Sequence, residues 1–179
     1  MQTTDNTPEA IQIELFTNRF LAIAREMGNM LQRTALSTNV KERLDFSCAI
    51  LDAAGELVVN APHIPVHLGA LGLCVRSVRD KLALEPGDVA VTNHPAFGGA
   101  HLPDITVITP VYSERELLGY VASRAHHAEI GGTRPGSMPP DARSLAEEGA
   151  VIPPSYLLKN GRANWPEIRR FFTDGPFPT

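Results

Sequence analysis

The sequence predicts an α+β fold, with a long N-terminal helix packed on a small, mainly antiparallel sheet and long Gly/Pro-rich loops between the elements. Three observations carry this. Apolar residues recur every three or four positions through the N-terminal segment, short β-branched runs alternate with turn signals in the middle, and the 14 glycines and 15 prolines gather between those runs. A chain of 179 residues with 43% hydrophobic residues fits one domain with a real core.

The first helix opens at Thr7-Pro8-Glu9, with Thr7 as cap and Pro8 at the first helical position, and runs to about Leu36. Its expected buried face is Phe16, Phe20, Ile23, Met27 and Leu31, and Gly28 marks a close packing contact. Phe46–Leu51 and Leu57–Val59 read as a hairpin turning at Gly55. After the loop Asn60–His67, an apolar helical pattern covers Leu68–Leu84. Val89–Val91 is a short strand, and Ile105–Val111 pairs with Leu117–Ser123, with Pro110 marking an edge position. Ser144-Leu-Ala-Glu147 opens a short helix ending at Gly149, and Trp165–Phe172 forms a last one with Pro166 at its start. Between Pro154 and Trp165 the pattern thins.

Composition excludes several functions. Sixteen Lys+Arg against 20 Asp+Glu give a net charge of −4, the wrong sign for a nucleic-acid partner, and 6% aromatics make a poor base-stacking platform. No apolar run is long enough for a membrane helix, and the polar N-terminus lacks a signal-peptide pattern. Two cysteines, Cys48 and Cys74, suit a reduced cytoplasmic setting and exclude a disulfide framework. There is no phosphate-binding loop: nothing like Gly-Lys-Ser/Thr follows Gly98-Gly99.

All six histidines lie in or beside irregular loops. His101-Leu-Pro-Asp104 holds an imidazole and a carboxylate in a segment that Pro103 stiffens, a pairing that suits Zn, Mn or Fe. If residues 105–111 and 117–123 form a hairpin, His126 and His127 return to the same end. Adjacent residues on an extended segment face opposite sides, so one of the two enters the site. His63 and His67 either line a pocket or cap the following helix. Arg43 and Asp45 read as a solvated ion pair, and Cys48 as a buried structural cysteine.

Several long strings carry a resemblance: Lys41-Glu-Arg-Leu-Asp-Phe-Ser-Cys48, Ala61-Pro-His-Ile-Pro-Val-His-Leu-Gly-Ala70, Thr92-Asn-His-Pro-Ala-Phe-Gly-Gly-Ala-His-Leu-Pro-Asp-Ile-Thr106 and Ala122-Ser-Arg-Ala-His-His-Ala-Glu-Ile-Gly-Gly132. Together they resemble the hydantoinase B/5-oxoprolinase family, and Asn93-His94-Pro95 resembles its 5-oxoprolinase branch. The likeness covers about Ile11 to Lys159. It divides the chain into an N-terminal part of the family's module, 1–159, and a tail, 160–179. The family's module is much longer, so the chain is expected to form an incomplete part of it.

The resemblance implies ATP-driven opening of a cyclic amide, 5-oxoproline or a hydantoin, by a B-type half. That half acts with a hydantoinase A-type subunit, and ATP enters only through this partner. It further implies a divalent metal held by His101, Asp104 and a later histidine, His126 first and His127 second, with His101, Asp104 and His126 as the catalytic set. A ketone carboxylase subunit and a truncated, non-catalytic partner-binding module are the alternatives.

Overall fold

The computed structural model describes residues 8–61, 67–136 and 139–179. Seven strands form one antiparallel sheet: β1 (Phe46–Asp52), β2 (Leu57–Asn60), β3 (Val89–Thr92), β4 (Asp104–Ser113), β5 (Glu116–His126), β6 (Ser155–Lys159) and β7 (Arg162–Ala163). Their order is β2-β1-β5-β4-β3-β6-β7. Among the described residues five α-helices accompany them: α1 (Glu9–Thr34), α2 (Thr38–Lys41), α3 (Leu68–Arg79), α4 (Leu145–Glu148) and α5 (Trp165–Thr173).

The centre of the sheet is the β4–β5 hairpin, whose register runs from Ser113↔Glu116 at the turn to Asp104↔His126 at the open end. It is longer than the predicted pair because the pairing continues through Thr106↔Arg124 and Ile105↔Ala125 to Asp104↔His126. Pro110 lies beyond the last β3–β4 pair, Ala90↔Ile108, so its missing N–H costs the ladder nothing on that side.

α3 covers one face of the sheet. Leu71, Cys74, Val75 and Val78 pack there on Ala49, Leu51, Ile108, Tyr120 and Ala122. This helix stops at Arg79, short of the expected Leu84, where the Asp80 N–H closes back on the Arg76 carbonyl. Leu82 and Leu84 still reach the same core. α1 and α5 lie on the opposite face, α1 over β1 and β2, α5 over β3 and β6. Both cysteines are free and buried.

Three expectations need correction. Pro8 occupies the cap position of α1 with extended ψ of 139°, outside the first turn, and Thr7 lies outside the described residues. β6 and β7 were invisible in the sequence: Tyr156-Leu-Leu158 has no alternation, and two prolines precede it. The buried face of α1 is narrower than its periodicity suggested. Ala24 and Gly28 sit at its centre, Phe20, Met27 and Leu31 are half-buried, and Phe16 and Ile23 are about half exposed. Small residues let the helix axis approach the sheet, which lifts the larger ones to its flanks.

A stability consequence follows. Phe16→Ala should shift unfolding free energy by no more than about 0.5 kcal/mol in a urea titration. Ala24→Leu, which forces a branched side chain into a fully buried position, should cost about 1–3 kcal/mol. A larger loss from Phe16→Ala than from Ala24→Leu would invert the helix orientation.

Candidate metal centre

The open end of the β4–β5 hairpin gathers the chemistry. Asp104 opens β4 and His126 closes β5, directly opposite each other. His101 comes from the loop before β4, three residues upstream. The loop's shape is set by Asn93, a fully buried side chain that makes three backbone bonds. Its Nδ2 donates to the carbonyls of Leu102 and Ala150, both at 2.8 Å, and its Oδ1 accepts from the Ile152 N–H at 2.7 Å. At Gly98, where φ is +80°, a Cβ would stand 2.7 Å from the Cys74 backbone nitrogen, so only glycine lets this loop lie on α3.

His101 Nδ1 lies 2.7 Å from Asp104 Oδ2, and His126 Nδ1 lies 3.1 Å from Asp104 Oδ1. The two imidazole rings are 4.8 Å apart between centroids. One ligand atom from each of the three residues falls within 4.8 Å of the others. His126 and Asp104 form a hydrogen bond. His101 Nδ1 and Asp104 Oδ2 stand as a close ion pair, and neither atom has any other hydrogen-bond partner. A cation shared between them satisfies both atoms at that distance, whether a proton on the imidazole or a metal ion in its place.

Two further residues face the same cluster. His67 stands at the cap of α3, but its side chain makes no cap bond. The ring instead turns inward, with Nδ1 3.3 Å from Ser47 Oγ. Nε2 lies 3.6 Å from Asp104 Oδ2 and 3.8 Å from Asp45 Oδ1. Asp45 follows Leu44, whose φ of +57° re-aims the chain before β1. Its carboxylate also lies 4.0 Å from His126 Nδ1. Asp45 therefore faces the centre, not Arg43 and bulk water as the sequence suggested. Of the alternatives for His67, the structure favours the pocket; His63 lies outside the described residues. Signals for both were present: the Asp45 and His67 strings belong to the resemblance, but neither residue has the spacing of a ligand pair.

His127 is not part of the three-residue grouping; its backbone N–H donates to the Pro103 carbonyl and its side chain is half-buried. His94 caps the short turn Pro95–Phe97, its Nδ1 accepting from the Ala96 N–H at 3.1 Å.

Electrostatics set the protonation of the cluster. Burial works to raise the Asp104 pKa, but its contacts with His101, His67 and His126 outweigh burial and hold it below the ordinary carboxylate range. The polar contact with Asp104 raises the His101 pKa against the effect of burial. Burial lowers that of His67 despite both nearby carboxylates. One layer below, the fully buried Arg124 donates from Nε to Thr106 Oγ1 at 2.8 Å and from Nη2 to the Gly98 carbonyl at 2.6 Å. Its charge pushes both His67 and His101 towards their neutral forms.

Comparison with known proteins identifies the family. The hydantoinase B/oxoprolinase family matches residues 9–176, and the chain belongs to that family. It is 53% identical over 172 residues to the 5-oxoprolinase of Saccharomyces cerevisiae, covering 94% of this chain and 13% of that protein. Among solved structures it superposes on the ATP-dependent caprolactamase of Pseudomonas jessenii with a TM-score of 0.82 and 30% identity, covering 97% of this chain and 30% of that one. An acetone carboxylase structure shares the fold with a TM-score of 0.79 at 21% identity, covering 91% of this chain and 22% of the other. The chain thus spans only a small part of the relatives it matches. No described helix is long and apolar enough to cross a membrane.

Proposed function

We propose that this chain supplies the metal-holding part of the B-type half of an ATP-dependent cyclic amide hydrolase, with 5-oxoproline as substrate. The reading rests on the convergence of His101, Asp104 and His126, whose ligand atoms lie within 4.8 Å of one another, with His101 Nδ1 and Asp104 Oδ2 buried side by side. The yeast relative's name supports the substrate. The caprolactamase β subunit of P. jessenii, 31% identical over 173 residues, supports assembly with a second subunit, for which the hydantoinase A type is the candidate. ATP would bind there, since this chain carries no phosphate loop. Two buried free thiols suit the cytoplasm.

His101, Asp104 and His126 would hold a divalent ion, Zn, Mn or Fe, which would supply a Lewis acid for polarising a carbonyl. Asp104 enters this role already ionised. Asp45, the more exposed carboxylate at 28%, faces the same point and is placed to accept a proton from an attacking water. His67, held by Ser47 and kept neutral by burial, buttresses Asp104 from the far side.

The test replaces the matched segment of the yeast 5-oxoprolinase with this chain. The hybrid should hydrolyse 5-oxoproline with ATP and should not carboxylate acetone with bicarbonate. Loss of the hydrolysis in a folded, metal-loaded hybrid would refute the assignment.

Metal affinity should depend on pH with a definite sign. A protonated imidazole cannot ligate, so binding displaces the His101 proton wherever that proton is present. Because the His101 pKa is raised, the loss begins above the ordinary histidine range and deepens as pH falls. Below that pKa, affinity should fall by about tenfold per pH unit for each proton displaced. Competition titrations with a chromophoric chelator measure this, and an affinity flat from about pH 8 to about pH 6 would contradict it.

A further inference from the structure

The two faces of the sheet are unequally covered. On the α3 face the central hairpin is buried throughout, from Asp104 to Pro110 on β4 and from Tyr120 to His126 on β5, at every second residue. On the other face Ile105, Val107, Thr109, Val121 and Ser123 are only half-buried, and Val111 is 37% exposed. These are the third and fourth strands of a seven-stranded sheet, and on this side Ala125, beside α1, is the only buried side chain.

The gap has the dimensions of one element. α1 lies over β1 and β2 and reaches β5 at Ala125, and α5 lies over β3 and β6 and reaches β4 at Ile105 and Val107, leaving Thr109, Val111, Val121 and Ser123 of the central hairpin between them. From β1 to β3 is three strand spacings, about 14 Å. That admits one helix of about 10 Å diameter and no more. The flank of α1 bordering the gap is apolar and open: Ile23 is 49% and Met30 54% exposed, seven residues apart on one side of the helix. A groove of about 550 Å³ runs between Ile23, Met27, Met30 and Ser123. It is continued by another of about 290 Å³, lined by Phe20, Ile23, Val111, Leu118 and Val121.

We propose that this slot seats an amphipathic helix from the part of a hydantoinase B/oxoprolinase polypeptide that lies outside these 179 residues. The matched segment is 13% of the yeast enzyme and 30% of the caprolactamase chain, so the relatives have ample polypeptide to supply it. A helix fits where a strand does not, because the slot lies on the sheet's face and offers no free backbone edge. The inference rests on family membership and not on the hydrolytic reading; a metal-free, inactive chain would leave it intact.

The test uses the yeast 5-oxoprolinase hybrid and the isolated 179-residue chain in parallel. Ile23→Cys and Val121→Cys are each made in both, and labelling of the new thiol is followed by peptide mass spectrometry. Cys48 and Cys74 are buried, and Leu36→Cys, at a fully exposed position, serves as the reference. In the isolated chain the Ile23 and Val121 sites should label at rates set by their open position. In the hybrid both should slow by at least roughly tenfold, with Leu36→Cys unchanged. Equal labelling in both contexts would overturn the proposal. So would an isolated chain that is a stable dimer dissociated by Ile23→Glu, which would assign the slot to a second copy. If the hybrid does not accumulate, the yeast remainder is co-expressed with the tagged chain. Its capture by the wild-type chain and loss with Val121→Glu then supports the proposal, and no capture refutes it.

Discussion

Asp104→Asn should strip the centre of metal while leaving the chain folded. Asp104 is the residue all three histidines share: His101, His126 and His67 each approach one of its oxygens, and it is fully buried. The amide has the same shape but no charge, and one of its two terminal atoms becomes a donor. Removing groups that merely support a ligand costs about 10–100-fold in metal affinity, so removal of the anionic ligand itself should exceed about 100-fold. Elemental analysis after loading with zinc, manganese or iron should give near-stoichiometric metal in the wild type and background in the variant. Far-UV circular dichroism should be unchanged. His127→Ala is the paired control and should retain metal, since that side chain is outside the grouping. Stoichiometric metal in Asp104→Asn, or its loss in His127→Ala, would each redraw the site.

Where the fold was legible, local chemistry and tertiary packing agreed. The β4–β5 hairpin announced itself through β-branched alternation, and its return to the starting end is what placed His126 opposite Asp104. The site's other members were harder because nothing local distinguishes them. Asp45 sits in a charged run, Lys41-Glu-Arg-Leu-Asp45, that reads as surface; the left-handed turn at Leu44 that aims it inward leaves no mark on periodicity. His67 occupies a helix-cap position, and only the tertiary approach of β1 through Ser47 shows that its ring is used elsewhere. The α1 stripe misled for a different reason. Helical spacing identifies an apolar arc but not its centre, and here the centre is Ala24 and Gly28, which contribute little to any hydrophobic pattern. Two members of that stripe, Phe16 and Ile23, lie on its flanks and stay about half exposed.

Asn93→Ala should be among the most destabilising single substitutions in the chain, and its effect should reach the metal. The side chain ties together two segments far apart in sequence: Leu102, next to His101, and the stretch Ala150–Ile152. Alanine leaves two carbonyls and one N–H buried without partners. Each such group costs about 1–3 kcal/mol, so after partial relaxation the loss should be about 4 kcal/mol. Asn93→Asp should not rescue it: the carboxylate keeps the acceptor for Ile152 but turns a second oxygen towards two carbonyl oxygens. Urea unfolding of the metal-free protein measures the stability term. The second readout is metal affinity at a temperature where the variant is still folded. It should drop because His101 rides on the segment that Asn93 pins, whereas Asp104 and His126 are held by the β4–β5 ladder and stay in place. A variant that loses under about 1 kcal/mol would mean that water replaces the side chain in this pocket. One that loses stability but binds metal as tightly as wild type would mean that His101 is positioned by Pro103 and Gly98 alone.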